Sequence, residues 1–196
     1  DLFKHHGLLM IDAANESFRQ LQSDYFIQLI ENSEVIAKEV YTKEQRLVSL
    51  GYPRPIQANE NGVNLFYVLD GERHLLEWED GFAKNKVAQL KFTKEQLIEI
   101  AKTAPHCLSN NVVTRPLMQD MVLPVLAFVG GPGELAYWAT LKPAFDALHL
   151  QMPIFTPRMQ FTIVTRQVAA ILNEQGLTVE DVFNRKSEAQ LKEFLA

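Results

Sequence analysis

Hydrophobic positions along the chain change period several times, and each change marks an element boundary. Gly7-Leu8-Leu9-Met10-Ile11-Asp12 is a short apolar run closed by a carboxylate, the pattern of a buried parallel strand delivering Asp12 to the carboxyl edge of a sheet. Between Ser23 and Leu50, Phe26, Leu29, Ile30, Ile36, Val40 and Leu47 recur at helical spacing, which predicts one long helix capped by Ser23 and closed by Gly51. Glu34 and Lys38, at i and i+4, belong to its solvated face. Beyond Tyr52 the period shortens to two. Pro53, Pro55 and Asn59 to Gly62 punctuate the chain, Leu65 to Leu69 alternate, and the turns Asp70-Gly71 and Glu79-Asp80-Gly81 flank Arg73 to Trp78. This stretch predicts a two- or three-stranded antiparallel insertion, residues 57–92.

Helical spacing then returns. Thr93 to Gln96 is a capping box for a helix carrying Leu97, Ile98 and Ala101, which ends near Ala104-Pro105. Leu108 to Asn111 reads as a turn in which Asn110 and Asn111 suit left-handed backbone, and a short helix follows from Arg115 to Met121 with Pro116 in its first turn. Leu123 to Val129 is an apolar strand broken by Gly130-Gly131-Pro132-Gly133. Glu134 and a helical series, Leu135, Trp138, Leu141, Phe145 and Leu148, come next, with a kink or restart expected near Lys142 because of Pro143. Gln151 to Arg158 predicts another short strand that brings Thr156 and Arg158 to its carboxyl end. Helices are expected over Thr165 to Gln175, from Thr178, and over Ser187 to Leu195. Strands and helices in this order predict an α/β fold: residues 1–56 begin the core, 57–92 are the insertion, and 93–196 complete the core with trailing helices.

At 196 residues, 47% apolar and 22% charged, the chain can bury a substantial core. A net charge of -5 provides no general attraction for nucleic acid or anionic membrane, and no apolar run reaches the roughly 20 residues that span a bilayer. One cysteine, Cys107, rules out an intrachain disulfide framework and fits a reducing cytoplasm, where it reads as an inert, partly buried thiol. The five histidines are scattered, with no HExxH and no CxxC, so no metal site is predicted. The chain opens without Met, immediately before a strand-like run, as an excised piece of a longer protein would.

Candidate chemistry gathers between Asn110 and Tyr137. A strand, a glycine turn and a helix start leave outward-pointing amides at the positive end of a helix dipole, beyond the carboxyl end of the strand where α/β sheets hold ligands. Gly130, Gly131 and Gly133 either admit an anion to the backbone or supply the positive φ of a sharp reversal. GGPGE matches neither the dinucleotide nor the P-loop pattern. Glu134 reads as a general base or as a first-turn anion stabilising its helix. Arg115 suits forked recognition of a carboxylate or phosphate, or an ion pair with Asp120 or Glu134; Gln119 shares its helix face. Trp138 fits the core stripe, which leaves its neighbour Tyr137 for the pocket, and Arg158 reaches the turn if the two strands are adjacent.

The run NNVVTRPLMQDMVLPVLAFVGGPGELAY, Asn110 to Tyr137, together with GLLMIDAAN near the start and MPIFTPR later, resembles the bacillithiol-biosynthesis cysteine ligase family, BshC. TRPLMQD, then LP, then VGGPGELAYW at fixed spacing carry the likeness, which extends along essentially the whole chain. It implies a middle segment of a longer, cytoplasmic protein with a Rossmann-like parallel sheet core, a coiled coil and a homodimer in the full-length parent. The activity implied is joining cysteine to the amino group of glucosaminyl-malate, an amide-forming ligase reaction, with no nucleic acid or membrane partner. Carboxyl activation usually calls for ATP or another nucleotide, for which the segment has no motif. The shared motif implies Asn110, Thr114, Arg115, Gln119, Gly130, Gly131, Gly133, Tyr137 and Arg158 as substrate-binding residues, and Asp120 and Glu134 as catalytic ones. With strands missing from one wall of the pocket, the isolated segment is expected to be inactive. A noncatalytic α/β binding or assembly module with a purely structural glycine turn is the competing reading.

Overall fold

The computed structural model describes residues 4–186, 188, 191 and 192. It divides into two compact units, Asp1–Arg158 and Met159–Ala196.

In the first unit, Leu8 to Ile11 do not form a strand. They are irregular and exposed, Leu9 at 77% and Met10 at 85%, because no strand among the described residues pairs with them. The Asp12 carboxylate accepts from the Ala14 amide at 2.8 Å, making a turn ahead of α1 (Glu16–Leu21), which Asn15 caps by accepting from the Phe18 amide. The predicted long helix is two helices, α2 (Ser23–Glu31) and α3 (Ser33–Ser49). Asn32 separates them, its side-chain amide donating to the Gln28 carbonyl. Ser23 does not cap α2; its hydroxyl instead donates to the Ala101 carbonyl at 2.7 Å. Gly51 ends α3 with φ +89°, as its place after the helix requires.

Strands β1 (Gly62–Leu69), β2 (Glu72–Glu79), β3 (Phe82–Asn85) and β4 (Leu90–Phe92) form the predicted antiparallel region. Helix α4 (Lys94–Thr103) starts at the Thr93–Gln96 capping box, with both reciprocal bonds made. Strand β5 (Leu108–Asn110) then returns to pair antiparallel with β1, giving a five-stranded sheet in the order β4-β3-β2-β1-β5. The sheet is therefore larger than a 57–92 insertion. Val63, Leu65, Leu76 and Ala83 from this sheet bury against Phe26, Leu29 and Ile30 of α2, Ile36 and Val40 of α3, and Leu97 and Ala101 of α4, in one core.

Two polar anchors fix this core. Glu44 on α3 is fully buried, and its carboxylate accepts from the Ile56 and Ala58 amides and from Arg54, tying the loop before β1 to the helix. Asn64 interrupts β1 in left-handed backbone, φ 61°, where the β1–β2 register shifts. Asparagine tolerates that conformation better than other non-glycine residues.

Helix α5 (Thr114–Val122) leads to β6 (Ala127–Gly130), α6 (Pro132–Trp138), α7 (Lys142–Ala147) and β7 (Ile154–Pro157). The break before Pro143 falls where the sequence places it, the proline occupying the first turn of α7. Strands β6 and β7 pair in parallel, Ala127 with Ile154 through Gly130 with Pro157. Among the described residues the parallel component is thus two strands, beside a larger antiparallel sheet. Phe128, Phe155, Trp138 and Phe145 join it to the core, with Phe128 stacked on Trp138 at 4.5 Å between centroids.

The second unit contains α8 (Arg166–Glu174), capped by Thr165, and α9 (Val179–Phe183), whose Thr178–Asp181 capping box lowers the Asp181 carboxyl to about 2. The helix expected over Ser187 to Leu195 falls largely outside the described residues. No helix among the described residues is long and apolar enough to cross a membrane.

Candidate functional site

The parallel pair carries the site. Because Gly130 and Pro157 share a register position, the chain leaves β6 and β7 side by side, and the Arg158 amide donates to the Gly130 carbonyl at 2.8 Å. This sets the Arg158 guanidinium against Gly131: a Cβ added there would lie 2.6 Å from Arg158 Nη2. Gly130 is hemmed in by rings rather than by the end of a flexible side chain, since its Cβ would meet the Phe155 ring at 2.7 Å and the Phe128 ring at 2.8 Å. None of Gly130, Gly131 and Gly133 has positive φ. Glycine is needed at Gly130 for close approach of two aromatic rings, rather than for reversal of the backbone.

The turn amides are not all free to hold an anion. Glu134 Oε2 accepts from the Gly131 amide at 2.8 Å, and Pro132 has no N–H. Glu134 therefore caps its own helix, and its other oxygen lies 3.9 Å from Arg115 Nη2. Arg115 also donates from Nη2 to the Tyr137 hydroxyl, and its guanidinium lies 5.7 Å from the Phe128 ring centre. Its Nε and Nη1 have no partner among the described residues, and the side chain is 46% exposed. Arg115 thus stands beside Glu134 and Arg158 beside Gly131 on one turn, with fork donors of Arg115 unused.

The helix that carries Arg115 is held by the irregular strand β1. The Thr114 hydroxyl donates to the Asn64 carbonyl at 2.7 Å, and the Asn111 side-chain amide donates to Asn64 Oδ1 at 3.0 Å. Asn111 Oδ1 in turn accepts from the Val113 and Thr114 amides, capping α5. Neither Asn110 nor Asn111 adopts left-handed backbone; that role belongs to Asn64. Thr114, 1% exposed and fully engaged in this clamp, cannot touch a ligand and positions Arg115 instead.

On its other side Arg115 borders a cavity of about 300 Å³ lined by Ile11, Phe18, Gln22, Asn110, Gln119 and Leu123 among others. Gln119 and Asn110 therefore share a cavity with Arg115, as their spacing suggested for Gln119. Tyr137, 7% exposed, meets it only through Arg115. The sequence did not single out Phe18 or Gln22, which lie on or beside a short helix with no distinctive pattern.

Asp120 is placed elsewhere. It lines a separate cavity with Leu126 and Ile154, at the amino ends of β6 and β7, whereas Glu134 follows the carboxyl end of β6. The two carboxylates do not form an acid–base pair. Burial raises the Asp120 carboxyl above its ordinary value of 3.8. A raised folded-state value contributes stability that is fully present below the ordinary value and lost as pH rises through the raised one. Asp120→Asn is accordingly expected to raise the urea midpoint slightly at pH 7 and to leave it unchanged at pH 3. A lowered midpoint at pH 7 would show that the carboxylate is stabilising.

Strands β6 and β7 with the glycine turn and helix between them make a Rossmann-like α/β unit, with Arg158 at the carboxyl end of β7 and Arg115, from α5, beside the turn that follows β6. A family model described as Bacillithiol biosynthesis BshC, N-terminal Rossmann-like domain, matches residues 1–159, and the chain belongs to this family. It is 57% identical over 194 residues to the "Putative cysteine ligase BshC" of Lysinibacillus sphaericus, covering 99% of this chain and 36% of that protein. Proteins of the same name from Geobacillus kaustophilus and Staphylococcus haemolyticus are 43% and 36% identical, over 98% and 99% of the chain and again 36% of their own length. The chain spans about a third of the length of these relatives.

Proposed function

We propose that this chain is the substrate-binding core of a ligase that joins cysteine to the amino group of glucosaminyl-malate in bacillithiol biosynthesis. The observation that carries the reading is the convergence of Arg115 and Arg158 on the Gly131–Glu134 turn. Malate brings two carboxylates, and guanidinium forks recognise carboxylates through paired hydrogen bonds. With the Gly131 amide already used, side chains rather than turn amides hold the anion. Glu134, engaged by a backbone N–H and close to Arg115, acts in this reading as a positioning group that aims the arginine. Joining cysteine to an amine forms an amide bond, for which the cysteine carboxyl has to be activated and the amine has to lose a proton. ATP or another nucleotide is the usual means of that activation, none of the residues described above is assigned to it, and the isolated chain is expected to be inactive.

Isothermal titration of the full-length protein with glucosaminyl-malate tests this. Arg158→Ala is expected to weaken binding about tenfold, the loss of one charged hydrogen-bonding partner at an exposed position. Wild-type protein that takes up no heat with glucosaminyl-malate or malate would overturn the assignment.

A further inference from the structure

Four buried polar side-chain atoms lack a partner among the described residues: Arg19 Nη1, Gln22 Oε1, Asn110 Oδ1 and Trp138 Nε1. Native proteins leave few such atoms, and a cluster of them marks a place where something outside the chain completes the hydrogen bonding. Three of the four gather where α1 meets the end of β5. Arg19 reaches Ser109 with Nη2 and the Ala13 carbonyl with Nε, Asn110 follows Ser109, and Gln22 and Asn110 both line the 300 Å³ cavity beside Arg115. Gln22 is itself 4% exposed. The final torsion of a glutamine or asparagine side chain is soft, so a small rotation turns either carbonyl toward an occupant.

The chemistry of the unsatisfied set selects the ligand. At the cavity the Gln22 and Asn110 carbonyl oxygens require donors and the Arg115 guanidinium requires an acceptor, a combination that a carboxylate or phosphate cannot meet. Hydroxyl groups donate and accept at once. Phe18, Met118 and Leu123 supply apolar walls of the kind that pack against the face of a sugar ring, and the volume lies at the lower end of the range for small-molecule pockets, about 300–1,000 Å³. Arg115 stands at the rim, shared between the cavity and the glycine turn.

We infer that this cavity is a polyol subsite: it takes the hydroxylated ring of the substrate, with Gln22 and Asn110 accepting its hydroxyl or amino protons, while Arg115 and Arg158 hold the attached carboxylates. The inference rests on the proposed function and deepens it, since it assigns the sugar half of the same molecule to residues that the anion clamp does not use. Gln22 and Phe18 become specificity residues for the sugar.

The test uses full-length protein, titrated with glucosaminyl-malate and, by competition, with malate. Gln22→Leu, which removes the acceptor at similar volume, and Ala13→Trp, which fills the cavity from its exposed edge, are each expected to weaken glucosaminyl-malate about tenfold and leave malate unchanged. Gln22→Leu should also keep or raise the thermal midpoint, because it deletes an unsatisfied buried carbonyl; a merely structural glutamine would lower it. Wild-type affinity for glucosaminyl-malate in both variants, or an equal loss for malate, overturns the subsite. If Arg158→Ala weakens binding while neither cavity variant does, the subsite alone falls. If wild-type protein binds neither compound, the clamp and the subsite fall together.

Discussion

Full-length protein carrying Arg115→Ala is expected to bind glucosaminyl-malate about 100-fold more weakly than wild type, the upper end of what a charged hydrogen-bonding partner contributes. The effect exceeds that of Arg158→Ala because Arg115 does two things. It presents Nε and Nη1 to a ligand, and through Nη2 it neutralises Glu134 and holds Tyr137. Without the guanidinium, Glu134 would face an incoming carboxylate with its own charge uncompensated, so repulsion adds to the lost attraction. Arg115→Lys should recover little, since an ammonium cannot span Tyr137, Glu134 and a carboxylate with one planar fork. Titration calorimetry and the KM of the ligase reaction read both changes. Wild-type affinity in Arg115→Ala would remove the anion clamp from the site.

Trp138→Ala is expected to lower the unfolding free energy by about 3–5 kcal/mol, the usual range for deleting a large buried aromatic. Trp138 is 2% exposed and touches Phe128, Phe155 and Phe145, so its loss opens a void between the parallel strands and α7. The contrast with Trp138→Phe makes the claim specific. The indole N–H has no partner among the described residues, so phenylalanine gives up packing volume without breaking a hydrogen bond and should cost clearly less. Urea denaturation of the chain measures both. Equal losses for the two variants would mean that the unpaired N–H is satisfied in solution and that shape is not what the site requires.

Elements with local signals were legible in the sequence. The capping box at Thr93, the turns at Asp70-Gly71 and Glu79-Asp80-Gly81 and the restart at Pro143 rest on chemistry within a few residues and occur as read, whereas the strand before the glycine turn is Ala127–Gly130 rather than Leu123 to Val129 and takes Gly130 into itself. What depends on distant partners was misread. The apolar run Leu8 to Ile11 looks like a strand by composition, but strands exist only in pairs, and no strand among the described residues pairs with it. Helical periodicity runs unbroken across Asn32, so nothing in the pattern marked the division of α2 from α3. Strand β5 is three residues long and is defined by its pairing with β1 rather than by its own composition.

The site divides in the same way. Arg115, Glu134, Tyr137 and Arg158 were found because a motif and the strand ends pointed to them, and the structure brings them together. Asp120 sits only five residues from Arg115, yet it turns toward a different cavity. Thr114 lies in the motif for the sake of Asn64, a contact across 50 residues of sequence that no local pattern announces.

That contact has a mechanical consequence. One left-handed asparagine in the antiparallel sheet grips both the cap and the first residue of the helix that aims Arg115, so the five strands act as a buttress for that guanidinium. Slackening the grip would leave every ligand contact available in principle while letting the guanidinium wander, and affinity would be surrendered as lost preorganisation with the bound pose intact.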